Sequence, residues 1–101
     1  MLCALTVRKL KPGAIEDFKQ AFVPADDTDL PAGWKRFYAI RNVDDENEVI
    51  TFGLFDGTLE DLRASQSDSA RYDDRRAKAD EFVESYGADG VYEVVEERAM
   101  D

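Results

Sequence analysis

Residues 34–55 read WKRFYAIRNVDDENEVITFGLF. Both flanks of this stretch are rich in aromatic and β-branched residues, and Asp44-Asp45-Glu46-Asn47 divides them, which predicts a β-hairpin closed by a four-residue loop. In that register Val43 faces Glu48, Arg41 faces Ile50, Ala39 faces Phe52 and Phe37 faces Leu54. Side chains alternate along a strand, so one face then carries Phe37, Ala39, Val43, Ile50, Phe52 and Leu54, interrupted by Arg41. The other face carries Trp34, Arg36, Tyr38, Ile40, Asn42, Val49, Thr51, Gly53 and Phe55. Two apolar faces need two covering layers. Helices of the same chain are expected on the first face and a second copy of the chain on the other. The expected interface of that homodimer is Trp34, Tyr38, Ile40, Val49, Thr51 and Phe55.

The flanking sequence supplies the remaining elements. Leu2–Val7 is a nearly continuous apolar run, the pattern of a strand buried on both faces. Pro12-Gly13 then punctuates the chain, and Ile15, Phe18 and Phe22 recur at helical spacing behind Glu16 and Asp17, acids placed to favour a helix N-terminus. Pro24 ends that helix, and a loop leads to Trp34. Beyond the hairpin, Asp56-Gly57 turns the chain. Thr58 precedes a short helix with Leu59 and Leu62 inward, and Asp61 stands where a capping box places its acid. The polar segment 65–69 predicts a break. A longer helix is expected from Ala70, with Tyr72, Arg76, Ala79, Val83 and Tyr86 on one stripe, Phe82 beside it, and Gly87 as its terminator. A last strand, VYEVVEE, follows Gly90. The βαββαβ order predicts an α+β, ferredoxin-like sandwich over residues 1–101 as one domain: a four-stranded antiparallel sheet with helices on one face, dimerising sheet to sheet.

Composition narrows the function. Thirteen basic residues against 23 acidic ones give a formal charge of −10 and a pI near 4.4. Nucleic acids and anionic membranes attract basic surfaces, so neither is an expected partner; solubility is the plainest meaning of the charge. The chain has no histidine and a single cysteine, Cys3. This removes histidine bases, Ser-His-Asp and Cys-His systems, cysteine-based zinc sites and histidine-ligated haem from one chain, so no metal and no cofactor are expected. The first apolar run ends at Arg8, too short for a signal or a membrane span, and a cytoplasmic location is expected.

Three stretches resemble the dimeric α+β barrel superfamily, particularly its antibiotic-biosynthesis-monooxygenase-like branch. VRKLKPGAIEDFKQAF is similar to that family's first strand, turn and helix; RNVDDENEVITFGLFD is similar to its central hairpin; LEDLRASQSDS is similar to its second-helix region. The resemblance implies a dimeric barrel and, in some members, cofactor-independent oxygenation of small aromatic or polyketide-type substrates. The glutamate and tryptophan that family often carries in its third strand fall on Gly53 and Phe55. A histidine common in its short helix falls near Ser65, and the first-strand asparagine of haem-degrading members falls on Thr6. Haem binding is therefore not expected.

Candidate ligand-pocket residues are Thr6, Phe37, Arg41, Phe52, Ser65, Tyr72, Phe82 and Tyr86, with no catalytic residue assigned. Thr6 and Ser65 enter through the resemblance alone. Arg41, set among apolar neighbours, reads either as an anion clamp or as a strand-end arginine reaching solvent or Glu48. Tyr72 and Tyr86 read either as hydroxyl donors to a ligand or as core residues. The acidic runs at Asp26 and Asp44 lack calcium-loop spacing and read as solvated turns. Two functions stay open: a dimer that binds a small molecule, such as an aromatic ligand, or is purely structural, and a monooxygenase-like enzyme.

Overall fold

Four strands and three helices build the structure, a computed structural model that describes residues 1–22, 32–67 and 70–100, without the side chains of residues 67 and 70–73. In chain order they are β1 (Leu2–Leu10), α1 (Ile15–Phe22), β2 (Trp34–Asn42), β3 (Asp45–Phe55), α2 (Leu59–Ser67), α3 (Ala70–Asp80) and β4 (Val83–Glu93). The sheet order is β2-β3-β1-β4, and every neighbouring pair is antiparallel. This is the ferredoxin-like α+β architecture. Among the described residues no helix is long and apolar enough to cross a membrane.

The order of elements matches the sequence expectation, but the register of the hairpin does not. Its turn is Val43-Asp44, two residues rather than four, and Asn42 Oδ1 accepts a hydrogen bond from the Asp44 amide at 2.8 Å. Asp45 already belongs to β3, where its carboxylate pairs with Lys9. Between Asn42, opposite Asp45, and Arg41, opposite Val49, the pairing shifts, with Glu46, Asn47 and Glu48 of β3 unmatched, and beyond this irregularity Tyr38 faces Phe52 and Ala39 faces Thr51. A slip of one residue moves a whole strand's side chains to the other face. Val49, Thr51, Gly53 and Phe55 are accordingly buried toward the helices, not presented to a partner as expected. Phe52 lies on the open face, stacked on Tyr38 with ring centroids 5.0 Å apart.

Trp34 changes sides for a second reason. Trp34 faces Phe55 while Arg36 faces Leu54, so β2 carries one extra residue at Lys35. Such a bulge reverses the alternation and turns Trp34 toward the helices.

The second departure is at the C-terminal end. The expected helix through Tyr86 stops at Asp80, where the Glu81 and Phe82 amides bond to the Lys78 and Ala79 carbonyls, tightening the last turn. Val83, Tyr86 and Gly87 belong to β4, which starts eight residues earlier than expected. The outer edge of β1 offers unpaired backbone groups, and satisfying them outweighs the helical period of the sequence. β4 follows β1 with two register shifts, and a Cβ on Gly87 would sit 3.2 Å from the Val7 side chain. Gly87 thus allows close strand approach and does not cap a helix.

Leu10, Ala14, Phe18, Phe22, Val49 and Ala79 form the core cluster between sheet and helices, with Phe37, Phe82 and Val83 packed against it. In α2 Leu62 is fully buried while Leu59 is exposed, and Thr58 Oγ1 accepts from the Asp61 amide at 3.1 Å as the cap. One core member is charged. Arg8 is 0 % exposed, in phase with Thr6 and Leu10 on β1. Its Nη1 donates to Thr51 Oγ1 at 2.7 Å, and its guanidinium lies 4.5 Å from the Phe22 ring centre, 5.4 Å from that of Phe18 and 5.6 Å from that of Tyr86.

Because those rings pack on the Arg8 side chain, Arg8→Ala should cost about 2–4 kcal/mol in urea unfolding, through both the void and the lost cation–π contacts. Arg8→Met, which keeps the stem packing, should cost less. A loss below about 0.5 kcal/mol for the alanine variant, the level of an ordinary surface change, would contradict this role.

Candidate functional site: a cavity between sheet and helices

Along β1 the helix-facing residues run Leu10, Arg8, Thr6, Ala4. At Leu10 the space above the sheet is solid core; at Thr6 and Ala4 it opens into a cavity of about 270 Å³. Phe22 of α1, Trp34 and Phe37 of β2, Ser65 and Gln66 of α2, and Arg75 and Arg76 of α3 line it, over a floor that includes Thr51 and Gly53 of β3. Asp89 and Val91 of β4 close the far side. Since β2 and β4 are the two sheet edges, the cavity is aromatic at the β2 end and charged at the β4 end.

The aromatic end depends on Gly53. A Cβ there would fall 2.7 Å from the Trp34 ring, so only glycine lets the indole lie flat across the sheet. Trp34 packs edge-on against Phe55 at 5.1 Å, and its Nε1 donates to Ser65 Oγ at 3.1 Å, which in turn donates to the Leu62 carbonyl at 2.9 Å. This chain of bonds fixes the ring and joins β2 to α2.

The charged end is organised by Asp89. One carboxylate oxygen accepts from Thr6 Oγ1 at 2.9 Å and the other from Arg76 Nη2 at 2.8 Å. Partial burial pushes its carboxyl pKa up, but the bonds from Arg76 and Thr6, with the charges of Arg76 and Arg8, outweigh that and leave it below the ordinary value. Asp89 is therefore an ionised, doubly engaged carboxylate, not one poised to exchange protons near neutrality.

The expected site residues separate cleanly. Thr6, Phe37 and Ser65 line the cavity, and Phe52 reaches it only from the strand beneath, its ring lying on the open face. Arg41 is exposed at the hairpin's turn end, opposite Val49, and is not among the cavity's lining residues. Phe82 packs on the core instead. Tyr86 stands on β4, where its hydroxyl bonds to Asp80 and its ring receives Arg8 and Arg76. The side chain of Tyr72 lies outside the described residues. Of the expected interface set, Tyr38 and Ile40 stay on the open face, exposed, whereas Trp34, Val49, Thr51 and Phe55 face the helices.

Three groups were not anticipated as site residues. Arg8 had a readable signal, its period-two phase with Thr6 and Leu10. Asp89 had none, because its position depends on β4, whose first half reads as helix. Arg75 reads as part of a solvated helix surface but is half-buried at the cavity wall. Among the described residues no cluster of three or more histidine, cysteine or acidic side chains gathers to hold a metal ion.

No family model and no curated protein matches this chain. Solved structures do. A proposed antibiotic biosynthesis monooxygenase from Nitrosomonas europaea superposes with a TM-score of 0.77 at 18% identity, covering 95% of this chain and 100% of its own. A second, from Chloroflexus aurantiacus, gives 0.76 at 13% identity over 99% and 98%. A NIPSNAP family protein from Agrobacterium tumefaciens gives 0.60 at 9% identity over 90% of each chain. The chain thus shares the fold of antibiotic-biosynthesis-monooxygenase-like proteins, the dimeric α+β barrel fold. A fold carried by differently named families does not assign an activity.

The lowered carboxyl of Asp89 stabilises the fold above the ordinary carboxylate value of 3.8, and that stability is lost as pH falls through its lower folded value. Asp89→Asn should therefore be less stable than wild type at pH 7, with the gap closing as pH falls below 3.8, in thermal unfolding followed across that range. A gap independent of pH would show that the carboxylate's charge is not what these bonds use.

Proposed function

We propose that this protein is a small-molecule-binding homodimer whose ligand is a compact aromatic compound held between sheet and helices. The single observation that carries the reading is the cavity. An apolar cavity of about 150 Å³ holds benzene, and drug-sized ligands occupy about 300–1,000 Å³. At about 270 Å³ this one suits a ligand of one or two rings. Phe22, Trp34 and Phe37 supply ring faces and edges at one end, and Thr6, Arg75, Arg76 and Asp89 supply polar groups at the other, an arrangement that orients a flat molecule with one polar edge.

The dimer rests on the opposite side of the sheet. There Tyr38, Ile40 and Tyr92 are 39–47% exposed, beside Leu5, Phe52 and Leu54, which are only half-buried. An apolar surface of this kind marks an interaction site, and a self-complementary patch closes under a two-fold axis. The sheet-to-sheet dimer therefore uses Tyr38, Ile40, Phe52 and Leu54 where the sequence suggested Trp34, Val49, Thr51 and Phe55.

The fold it shares with proposed monooxygenases favours a second reading, cofactor-independent oxygenation of such a ligand. In that case the cavity's part would be orientation and exclusion of water. Asp89, ionised and doubly bonded, is a poor candidate for a tuned general base. Oxygen uptake with phenolic compounds separates turnover from binding.

Two measurements test the proposal. Naphthalene-sized aromatics should raise the melting temperature of the wild type but not of Ala4→Phe, which fills the cavity while circular dichroism stays unchanged; no shift with any compound would contradict the ligand reading. Light scattering at micromolar concentration should give twice the 11.4 kDa chain mass. Phe52→Asp should lower it, because an unpaired carboxylate in an interface is costly, whereas Val43→Asp at the exposed turn should not. A wild-type monomer would overturn the dimer.

A further inference from the structure

The charges around the cavity are not equally engaged. Asp89 has a donor on each oxygen, and one of those donors is Arg76. Arg8 donates to Thr51 and lies within an aromatic cage. Arg75 differs: it lines the cavity, and its Nε is buried with no hydrogen-bond partner among the described residues. A guanidinium N–H withdrawn from water without an acceptor carries the full desolvation cost of that group. Most buried polar groups have a partner; this Nε is closed to solvent, so an acceptor in the cavity reaches Arg75 through the part of its side chain that lines the cavity.

Resting on the reading that the cavity holds an aromatic ligand, we infer that this ligand is an anion, an aromatic carboxylate or phenolate, and that Arg75 takes its acidic oxygen. We assign the acceptor to the ligand because Asp89, the carboxylate among the described lining residues, is already occupied by Thr6 and Arg76. It is anionic because hydrogen bonds between charged partners are roughly twice as strong as neutral ones. The local balance agrees. Among the described lining residues Arg75 and Arg76 stand against Asp89, an excess of positive charge in a protein whose net charge is −10. A local positive excess of this kind favours selection of acidic over neutral rings.

The test is a matched pair, 2-naphthoate and 2-naphthamide, which have nearly the same shape and differ in charge, titrated calorimetrically into the wild type, Arg75→Gln and Arg41→Gln. The wild type should bind the naphthoate at least about tenfold more tightly than the naphthamide. Arg75→Gln should reduce naphthoate to the level of the amide and change amide binding little, and Arg41→Gln, at the exposed hairpin end, should keep the full preference. Equal binding of both compounds by the wild type would overturn the anion inference and leave the ligand cavity standing. A preference that survives in Arg75→Gln would overturn the assignment to Arg75. Failure of both compounds to bind would overturn the cavity reading itself, and this inference with it. The comparison of the two ligands on the wild type does not depend on how any variant folds.

Discussion

Burying a cation in the middle of a sheet is the constraint around which the helix-facing side of this molecule is arranged. Withdrawing Arg8 from water costs several kcal/mol, and a desolvated cation–π contact returns about 2 kcal/mol. One contact would not suffice. Phe18 and Phe22 of α1, Tyr86 of β4 and the hydroxyl of Thr51 on β3 all converge on the same guanidinium. The side chain therefore ties the central strand β1 to both of its neighbours and to the first helix. It also sets a boundary. On the Leu10 side aliphatic and aromatic residues close the core, and on the Thr6 side the same layer opens into the cavity, with Phe22 and Thr51 belonging to both.

Much of the architecture was legible in the residues. The alternating stretch 34–55 gave a hairpin, the spacing of Phe18 and Phe22 gave α1, and the order of elements gave the ferredoxin-like sandwich. What misled was local. Asp44 to Asn47 reads as a polar loop, but Asn42 closes a two-residue turn through its own side chain, so Asp45 can enter the strand and pair with Lys9. The pairing then shifts between Asn42 and Arg41, and the resulting one-residue slip exchanged the roles of Val49, Thr51 and Phe55 with those of Ile50, Phe52 and Leu54. The bulge at Lys35 has no signature in the sequence, and without it Trp34 cannot be placed. In the segment 77–87 a helical period is real, but an open edge on β1 competes for the same residues and wins from Val83 onward.

The candidate site suffered from these errors in proportion to its dependence on pairing. Thr6, Phe37 and Ser65 were found, two of them only by resemblance, because each sits on an element whose phase was read correctly. Arg41 was expected under a helix, but it stands exposed near the turn, away from the cavity. Asp89 could not be found before β4 was. The two sides of the sheet now carry distinct tasks. The helix side holds the aromatic and charged lining of a cavity, and the open side holds Tyr38, Ile40 and Phe52, fitted for a second copy.

That division of labour is best tested by side-chain methyl NMR during titration with 2-naphthoate. Ala4, Thr51 and Val91 lie along the cavity, while Val7, Ile50 and Leu54 sit on the same strands or their neighbours, outside its lining. A ligand held between sheet and helices should shift the methyl resonances of the first group strongly and those of the second weakly. Strong shifts confined to Val7, Ile50 and Leu54 would place the ligand on the open face and contradict the assignment of the two sides.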